Sequence, residues 1–265
     1  MTRTTMTRTT MTINGQAKQG CGAGTGAVWG EAGHWGAAAF FTEEHMKLLE
    51  GLMYGRKVEA GAHLLWEGDE AGKLYFVRSG RVKLTKTTEE GRTLNLSILR
   101  AGDLIGELGM SGDGVYGYSA EVIENAEFGI IQEKDLEILL YRHGDFAVAF
   151  TKWMALQHRT TQSKFRDLLL FGKPGALAST LIRLCNSYGM ATKDGIRIMT
   201  KLTNTELADF IGATRESVNR MLSDLKKDGI IDLSSGHIVV RSLSELKAIC
   251  QCPTFPACPA EICRI

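Results

Sequence analysis

The end of the chain is dense in cysteine, because four of its six cysteines fall within the last sixteen residues. Three prolines interrupt this segment, and proline is excluded from the interior of helices and of central strands. An irregular segment with closely spaced thiols can fold around a metal centre that the thiols bind. The sequence therefore predicts a metal-binding tail over residues 250–265. Its cysteines are Cys250, Cys252, Cys258 and Cys263.

The spacing of these cysteines, C-x-C-x5-C-x4-C, bears on which metal they hold. Zinc sites commonly use C-x2-C pairs, whereas wide, irregular gaps suit the larger iron–sulfur cluster. A structural zinc remains open as the alternative. A disulfide-linked tail is disfavoured, because the chain begins with repeats of MTRTT rather than the apolar core of a signal peptide. We expect a cytoplasmic protein with reduced thiols, no membrane span, and a disordered leader over residues 1–38.

Charge is divided unevenly along the chain. Residues 1–150 carry a net charge of −5 and residues 151–265 a net charge of +6. A basic C-terminal half is the part expected to contact a polyanion such as DNA.

Residues 39–144 contain short strand-like runs separated by glycine turn signals, such as Glu67-Gly68-Asp69, Ser79-Gly80 and Ala101-Gly102-Asp103. Many short strands at this spacing predict an antiparallel barrel or sandwich.

Residues 145–171 form a different pattern, with neither Gly nor Pro between Asp145 and Leu170. Apolar residues recur at three- and four-residue steps, which predicts a long amphipathic helix. A small barrel cannot cover a helix of that length, so pairing with a second copy is expected; packing on its own domain is the alternative. The segment from Phe171 to Gly175 breaks the helix, and a further helix is predicted from Pro174 to about Tyr188.

A helix-turn-helix follows within residues 172–249. Thr203 and Glu206 form a capping box that begins one helix. Gly212 makes the turn, and a second helix runs from Thr214 to a C-cap at Gly229. Two strands joined by Ser-Ser-Gly then form a wing. The second helix presents Arg215, Glu216, Asn219 and Arg220 near its start, where a recognition helix reads base edges; a solvated face with Glu216–Arg220 pairing is the alternative.

These features together resemble the cyclic-AMP receptor protein/Fnr superfamily of bacterial transcription regulators. The resemblance rests on Gly102-Asp-Leu-Ile-Gly-Glu-Leu108, the long helix and Thr214-Arg-Glu-Ser-Val-Asn-Arg220. The segment from Ser163 to Lys173 and the cysteine tail resemble the Bacillus-type Fnr branch. The resemblance implies an α+β fold: an N-terminal antiparallel β-roll (a cupin-like barrel), a long dimerisation helix and a C-terminal winged helix-turn-helix.

The Bacillus-type pattern implies one [4Fe-4S] cluster per subunit, held by Cys252, Cys258, Cys263 and Asp167. The gap between Cys252 and Cys258 is wider than in the family, so Cys250 stays open as an alternative ligand, or as a fourth thiolate in place of Asp167. For Asp167 the alternative is a surface carboxylate paired with Lys164 or Arg166. No function is assigned to Cys21 or Cys185.

The resemblance also implies an oxygen-sensing global anaerobic regulator, mainly an activator, rather than an enzyme. It implies a homodimer through helix 145–170 that binds TGTGA-type palindromes in double-stranded DNA and contacts RNA polymerase. Nucleotide-binding members place Gly-Glu beside an Arg-Ser pair that grips the cyclic phosphate. Here Tyr118 stands at the Arg position opposite Gly106-Glu107, and a neutral phenol lacks the charge and paired donors of a guanidinium. We therefore expect no cyclic-nucleotide binding.

Overall fold

The computed structural model describes residues 36–108, 114–253, 258–259 and 261–265. The chain forms an antiparallel β-domain, one long kinked helix and a C-terminal domain of short helices with a small sheet. This confirms the predicted α+β architecture. Residues 1–35 of the predicted leader, with Cys21, lie outside the described residues. Ala37 is buried within a 3-10 turn, Ala37–Ala39, so ordered structure begins before residue 39.

The β-domain is built around two long strands that pair antiparallel from Lys73↔Gln132 to Thr85↔Ser119. The sheet order is β1-β6-β3-β4, with β2 on β6 and β5 on β3. Side chains that alternate inward, such as Val82, Val122 and Phe128, are fully buried between the layers. The strands are β1 Tyr54–Val58, β2 His63–Leu65, β3 Lys73–Thr87, β4 Thr93–Arg100, β5 Leu104–Ile105 and β6 Ser119–Gln132.

The turn predicted at Ser79-Gly80 is wrong, because β3 runs through it. The pairing of β3 with β6 shifts register there, which is the mark of a β-bulge. Gly80 has φ +83°, and a Cβ at this position would lie 2.4 Å from the Asn125 carbonyl oxygen. The glycine signal therefore reflects a bulge at a close backbone approach rather than a chain reversal.

The long helix α3 runs from Gly144 to Tyr188 and is interrupted at Gly172 (φ +58°, ψ −163°). We call residues 144–171 the first arm and residues 173–188 the second arm. This combination of a positive φ with an extended ψ is open almost only to glycine, so the predicted break is confirmed and has a backbone cause. Two shorter helices precede α3: α1 Glu43–Glu50 and α2 Glu133–Arg142.

The apolar stripe of the first arm has two different environments. Its beginning is buried against the β-domain, together with Phe41 and Phe76; the buried side chains are Phe146, Ala149, Phe150 and Trp153. This part of the helix packs on its own domain, which was the alternative to pairing with a second copy. Further along, Met154, Phe165 and Leu169 are between 47% and 64% exposed in the single chain. At 3.6 residues per turn these three lie on nearly one face.

By length and composition α3 is also long and apolar enough to cross a membrane, since one 18-residue window has a mean hydropathy of 1.3. In the structure 61% of that window is buried inside the protein. A buried core helix has the same length and hydropathy, so this window is weak evidence for a membrane span.

The C-terminal domain packs three helices and a four-stranded sheet around the second arm of α3. Leu181, Leu184, Leu207, Val218 and Leu246 form its core and are at most 1% exposed. The predicted helices and wing are confirmed, but one hairpin, β7 with β8, was not foreseen; it extends the wing sheet in the order β7-β8-β10-β9. The elements are β7 Gly189–Thr192, β8 Gly195–Ile198, α4 Asn204–Phe210, α5 Arg215–Lys227, β9 Ile231–Ser234, β10 His237–Val240 and α6 Leu243–Ile249.

The kink yields a prediction about stability. Replacing Gly172 by Ala places a Cβ where the backbone disfavours it, and we expect a loss of roughly 1–3 kcal/mol in the free energy of unfolding. Urea denaturation followed by circular dichroism measures it. Gly144→Ala is the matched control, because Gly144 begins the same helix and has open space around its Cα. An unchanged midpoint for Gly172→Ala would show that the kink does not require glycine.

Candidate functional site

The two helices of the helix-turn-helix are fixed by capping and by a small core. Thr203 Oγ1 accepts a hydrogen bond from the Glu206 amide, and Glu206 Oε2 accepts one from the Thr203 amide at 2.7 Å. Gly212, with φ +58°, turns the chain. Thr214 Oγ1 then caps α5 by accepting from the Ser217 amide at 3.2 Å. These contacts satisfy amides that helix starts leave unpaired.

The outer face of α5 is open to solvent. Val218 and Leu222 are buried beneath it, while the four predicted base-reading residues are exposed: Arg215, Glu216, Asn219 and Arg220. Among the ion pairs of the described residues, none joins Glu216 to Arg220, so the alternative of a self-paired face gains no support. A contact not foreseen from the sequence is made by Asn204 Nδ2, which donates to Asn219 Oδ1 and so orients that amide.

The wing is a tight hairpin beside this helix. Ser235 and Gly236 both have positive φ, as in the two-residue turns that match the twist of paired strands. Residues 231–234 pair with 237–240 in register, His237 opposite Ser234. Helix α5 and the wing together form an exposed surface of the shape used to bind duplex DNA.

The Gly-Glu motif of the β-domain is occupied by internal contacts. The Gly106 amide donates to the Tyr118 hydroxyl at 3.0 Å, and the Gly117 amide donates to Glu107 Oε2 at 2.7 Å. Burial raises the pKa of Tyr118, so its ring stays neutral. A cavity of about 720 Å³ lies between this motif and the first arm of α3. Its wall includes Lys164, whose ammonium donates to the Leu96 carbonyl at 2.9 Å.

The cysteine tail begins at the end of α6. Cys250 is fully buried and caps that helix, and its thiol lies 3.4 Å from the Leu246 carbonyl oxygen. Burial, and then Cys252 and Asp167, raise the pKa of Cys250 to about 12. The Sγ atoms of Cys250 and Cys252 are 3.4 Å apart, and Cys252 is only half-buried.

The end of the tail is held along the second arm of α3. Arg183 Nη1 donates to the Ile262 carbonyl at 2.8 Å, and Asn186 Nδ2 donates to the Cys263 carbonyl at 2.7 Å. Burial raises the pKa of the Cys263 thiol and Arg183 opposes it; Cys252, Cys258 and Asp167 raise it further. Cys252, Cys258 and Asp167 therefore lie near enough to Cys263 to influence the ionisation of its thiol.

Asp167 is 3% exposed, so its interpretation as a surface carboxylate is wrong, although the predicted pairing with Arg166 is present. Arg166 donates to Asp167 Oδ1 from Nε at 2.9 Å and from Nη2 at 2.6 Å. On the other oxygen, Oδ2, it accepts from Arg183 Nη2 at 2.9 Å and from the Ser179 hydroxyl. The Asp167–Arg183 pair links the first arm to the second, and sequence reasoning missed it because the two residues are sixteen positions apart.

Within the described part of the chain, no three or more His, Cys, Asp or Glu side chains stand close enough together to hold a metal ion. The donor set nevertheless fits an iron–sulfur cluster chemically, since thiolates are its usual ligands. Two of its members lie on either side of one buried cation, since Arg183 donates to the Asp167 carboxylate and to the Ile262 carbonyl beside Cys263. Cys185, by contrast, is a buried core residue whose pKa burial raises to about 12.

Comparison with known proteins agrees with this architecture. Residues 55–143 match the cyclic nucleotide-binding domain family, and residues 175–249 match the Crp-like helix-turn-helix domain family. The chain is 44% identical to the anaerobic regulatory protein of Bacillus subtilis over 83% of its length and 92% of that protein. It is 30% identical to the cAMP-activated global transcriptional regulator of Escherichia coli O6:H1, over 69% of this chain and 88% of that protein.

Solved structures share the fold. The c-di-GMP responsive global regulator CLP of Xanthomonas campestris superposes with a TM-score of 0.67 at 20% identity, over 76% of this chain and all of that one. The architecture, the two matched domains and the Bacillus relative lead to one conclusion. The chain belongs to the cyclic-AMP receptor protein/Fnr superfamily of DNA-binding transcription regulators, which are not enzymes.

Proposed function

We propose that this regulator senses oxygen through a [4Fe-4S] cluster bound by its tail, and controls genes of anaerobic metabolism mainly as an activator. The observation that carries the proposal is that the end of the tail lies beside the buried Asp167, because Arg183 donates both to the Asp167 carboxylate and to the Ile262 carbonyl next to Cys263. The 44% identity to a Bacillus protein named as an anaerobic regulator supports it. We expect the protein to act in the cytoplasm, where its DNA target and reduced thiols are found.

Cys252, Cys258, Cys263 and Asp167 are the proposed ligands, one cluster per subunit. When bound, such a cluster supplies a centre that oxygen destroys. Cys250 remains the alternative to Cys252, but its thiol is turned toward the Leu246 carbonyl at the end of α6. Cys252 follows the helix cap and is less buried, which favours it as the thiol free to turn toward iron. A carboxylate is a harder ligand than thiolate, so Asp167 is the corner most open to exchange.

The ligands are divided between two parts of the chain that the kink separates. Asp167 belongs to the first arm, whereas the cysteines follow α6 of the DNA-binding domain. A cluster bound by Asp167 and by the tail cysteines would fix the orientation of the DNA-binding domain relative to the first arm. The β-domain adds direct contacts, since Arg81 Nη1 donates to Thr200 Oγ1 at 3.0 Å and Asn95 Nδ2 donates to the Glu206 carbonyl at 3.2 Å. The orientation of the helix-turn-helix relative to the first arm thus depends on the kink at Gly172, on the tail and on the contacts with the β-domain.

At the operator, Arg215 and Arg220 are suited to the O6 and N7 acceptors of guanine, and Glu216 to the N4 donor of cytosine. Asn219, oriented by Asn204, is available for a further contact. We propose TGTGA-type half-sites in an inverted repeat, read by the two-fold related helices of a dimer. Contact with RNA polymerase follows from the proposed activation.

Regulators of this family bind DNA as dimers. We propose that the contact uses helix 145–170 through the face of Met154, Phe165 and Leu169, because large apolar side chains exposed on one face of a long helix favour pairing with a copy.

A first prediction concerns oxygen and iron. Protein purified without oxygen should be brown, contain about four iron and four sulfide per chain, and bind a TGTGA palindrome in a mobility-shift titration. Air should bleach it and weaken binding at least about tenfold, or roughly 1.4 kcal/mol. A duplex with scrambled half-sites is the DNA control.

Asp167→Ala tests the ligand set in the same experiment. The variant should remain dimeric but lose iron faster than the wild type. Circular dichroism verifies its fold, because the substitution also leaves Arg183 without its buried partner. Normal cluster stability would mean that Asp167 is not a ligand. If the protein is colourless, contains about one zinc per chain and binds DNA equally well with and without air, the tail holds a structural zinc instead of a cluster.

The dimer contact is tested by Phe165→Glu. A carboxylate buried in an apolar interface is costly, so the dimer dissociation constant should rise by about thirtyfold or more, near 2 kcal/mol. Analytical ultracentrifugation measures it. Val148→Glu is the matched control, since Val148 is 55% exposed on a different face of the same arm. Equal effects of the two substitutions would contradict the assigned face.

Cyclic nucleotides are predicted not to bind. The amide of Gly106 is already bonded to Tyr118, and Tyr118 carries no charge for a phosphate. Titration calorimetry with cyclic AMP should give no saturable heat, with the cAMP-activated regulator of Escherichia coli as the positive control. A saturable isotherm would refute this assignment.

A further inference from the structure

Arg183 is the most deeply buried cation near the proposed cluster site. The residue is 3% exposed, and a buried guanidinium is tolerated only when its donors are paired. Its Nη2 donates to Asp167 Oδ2 at 2.9 Å and to the Ser163 hydroxyl at 2.8 Å, and its Nε donates to the Ser179 hydroxyl at 3.2 Å. Its Nη1 donates to the Ile262 carbonyl at 2.8 Å.

These four bonds join three segments of the chain. Ser163 and Asp167 lie on the first arm of α3, Ser179 lies on the second arm, and Ile262 lies in the tail. A straight helix would separate residues 167 and 183 by about 24 Å, so the kink is what allows the contact. The planar fork of arginine is suited to this role, because it presents several donors in fixed directions.

The Ile262 carbonyl belongs to the peptide group that leads into Cys263. By holding it, Arg183 fixes the backbone that carries one proposed ligand, while its other amino group fixes the carboxylate of a second. Neither contact needs a metal to be present. We propose that Arg183 is a positioning residue that assembles the cluster site in advance, and the proposal rests on the cluster proposed above.

Arg166 provides a natural comparison. It bonds the same carboxylate, but through Oδ1, and its side chain is 30% exposed. Its guanidinium stands over the Phe171 ring at 5.7 Å rather than against the Ile262 peptide. Loss of Arg166 therefore removes charge beside Asp167 while leaving the bond to the tail, whereas loss of Arg183 removes both.

The experiment compares Arg183→Gln with Arg166→Gln in the full-length chain, first without metal. Iodoacetamide labelling of Cys258 and Cys263 in reduced, metal-free protein is followed by mass spectrometry over a range of pH. Rates are compared on the plateau where the thiols are ionised, because Arg183 also lowers the pKa of Cys263. Arg183→Gln should raise the labelling rate at least about tenfold, equivalent to roughly 1.4 kcal/mol of local opening. Arg166→Gln should stay within about twofold, or near 0.4 kcal/mol. Circular dichroism verifies the fold of each variant.

Anaerobic reconstitution is the second readout. Arg183→Gln should take up iron more slowly than the wild type and bleach faster in air, with Arg166→Gln closer to the wild type. Should Arg183→Gln fail to fold, Arg183→Lys replaces it, since a single ammonium keeps the charge but not the three-way fork; it should fall between the other two.

The outcomes separate the two proposals. Labelling of Arg183→Gln at the wild-type rate overturns the positioning role, whatever the iron content. Faster labelling with faster loss of iron supports it. If the wild-type chain takes up no iron while Arg183→Gln still exposes its thiols, the cluster function fails and the claim of a cluster site fails with it, although Arg183 is then shown to hold the tail.

Discussion

The buried ion pair between Asp167 and Arg183 is the contact on which the arrangement of this molecule depends. It lies across the kink at Gly172 and joins the helix that leaves the β-domain to the helix that begins the DNA-binding domain. Both residues are 3% exposed, so each needs the other to be tolerated in the interior. The same guanidinium holds the tail at Ile262. One cation thereby connects the first arm, the DNA-binding domain and the end of the tail.

This connection links the end of the tail to the domain that carries the recognition helix. The recognition helix is packed on the domain core through Val218 and Leu222, and that core includes the second arm of α3. Any shift of the second arm about Gly172 therefore carries α5 with it as a packed unit. A dimer reads two half-sites at a fixed separation, so a small rotation in each subunit changes whether both helices reach their bases.

The helices and their boundaries were largely predictable from the sequence, because short-range signals determine them. The capping box at Thr203, the glycines at 172 and 212 and the run without glycine before Leu170 each determine the backbone within a few residues, and the helices follow them. The bulge at Gly80 carries the same glycine signal as a turn, and the sequence alone does not distinguish the two. Which thiol caps α6, and which cation Asp167 meets, depend on contacts between distant residues. No spacing rule reports such contacts.

The energetics of the network at the kink bear on the proposed switch. Complete reversal of a two-state orientation needs about 5.5 kcal/mol of differential binding. Hydrogen bonds to charged groups contribute roughly 1.5–3 kcal/mol each, but burying the ions of Asp167 and Arg183 costs several kcal/mol apiece. The polar network at the kink therefore lies near balance on its own. A region near balance responds to whatever else binds Asp167 or the tail, whereas a purely apolar joint between the arms would hold one orientation regardless of the state of the cysteines.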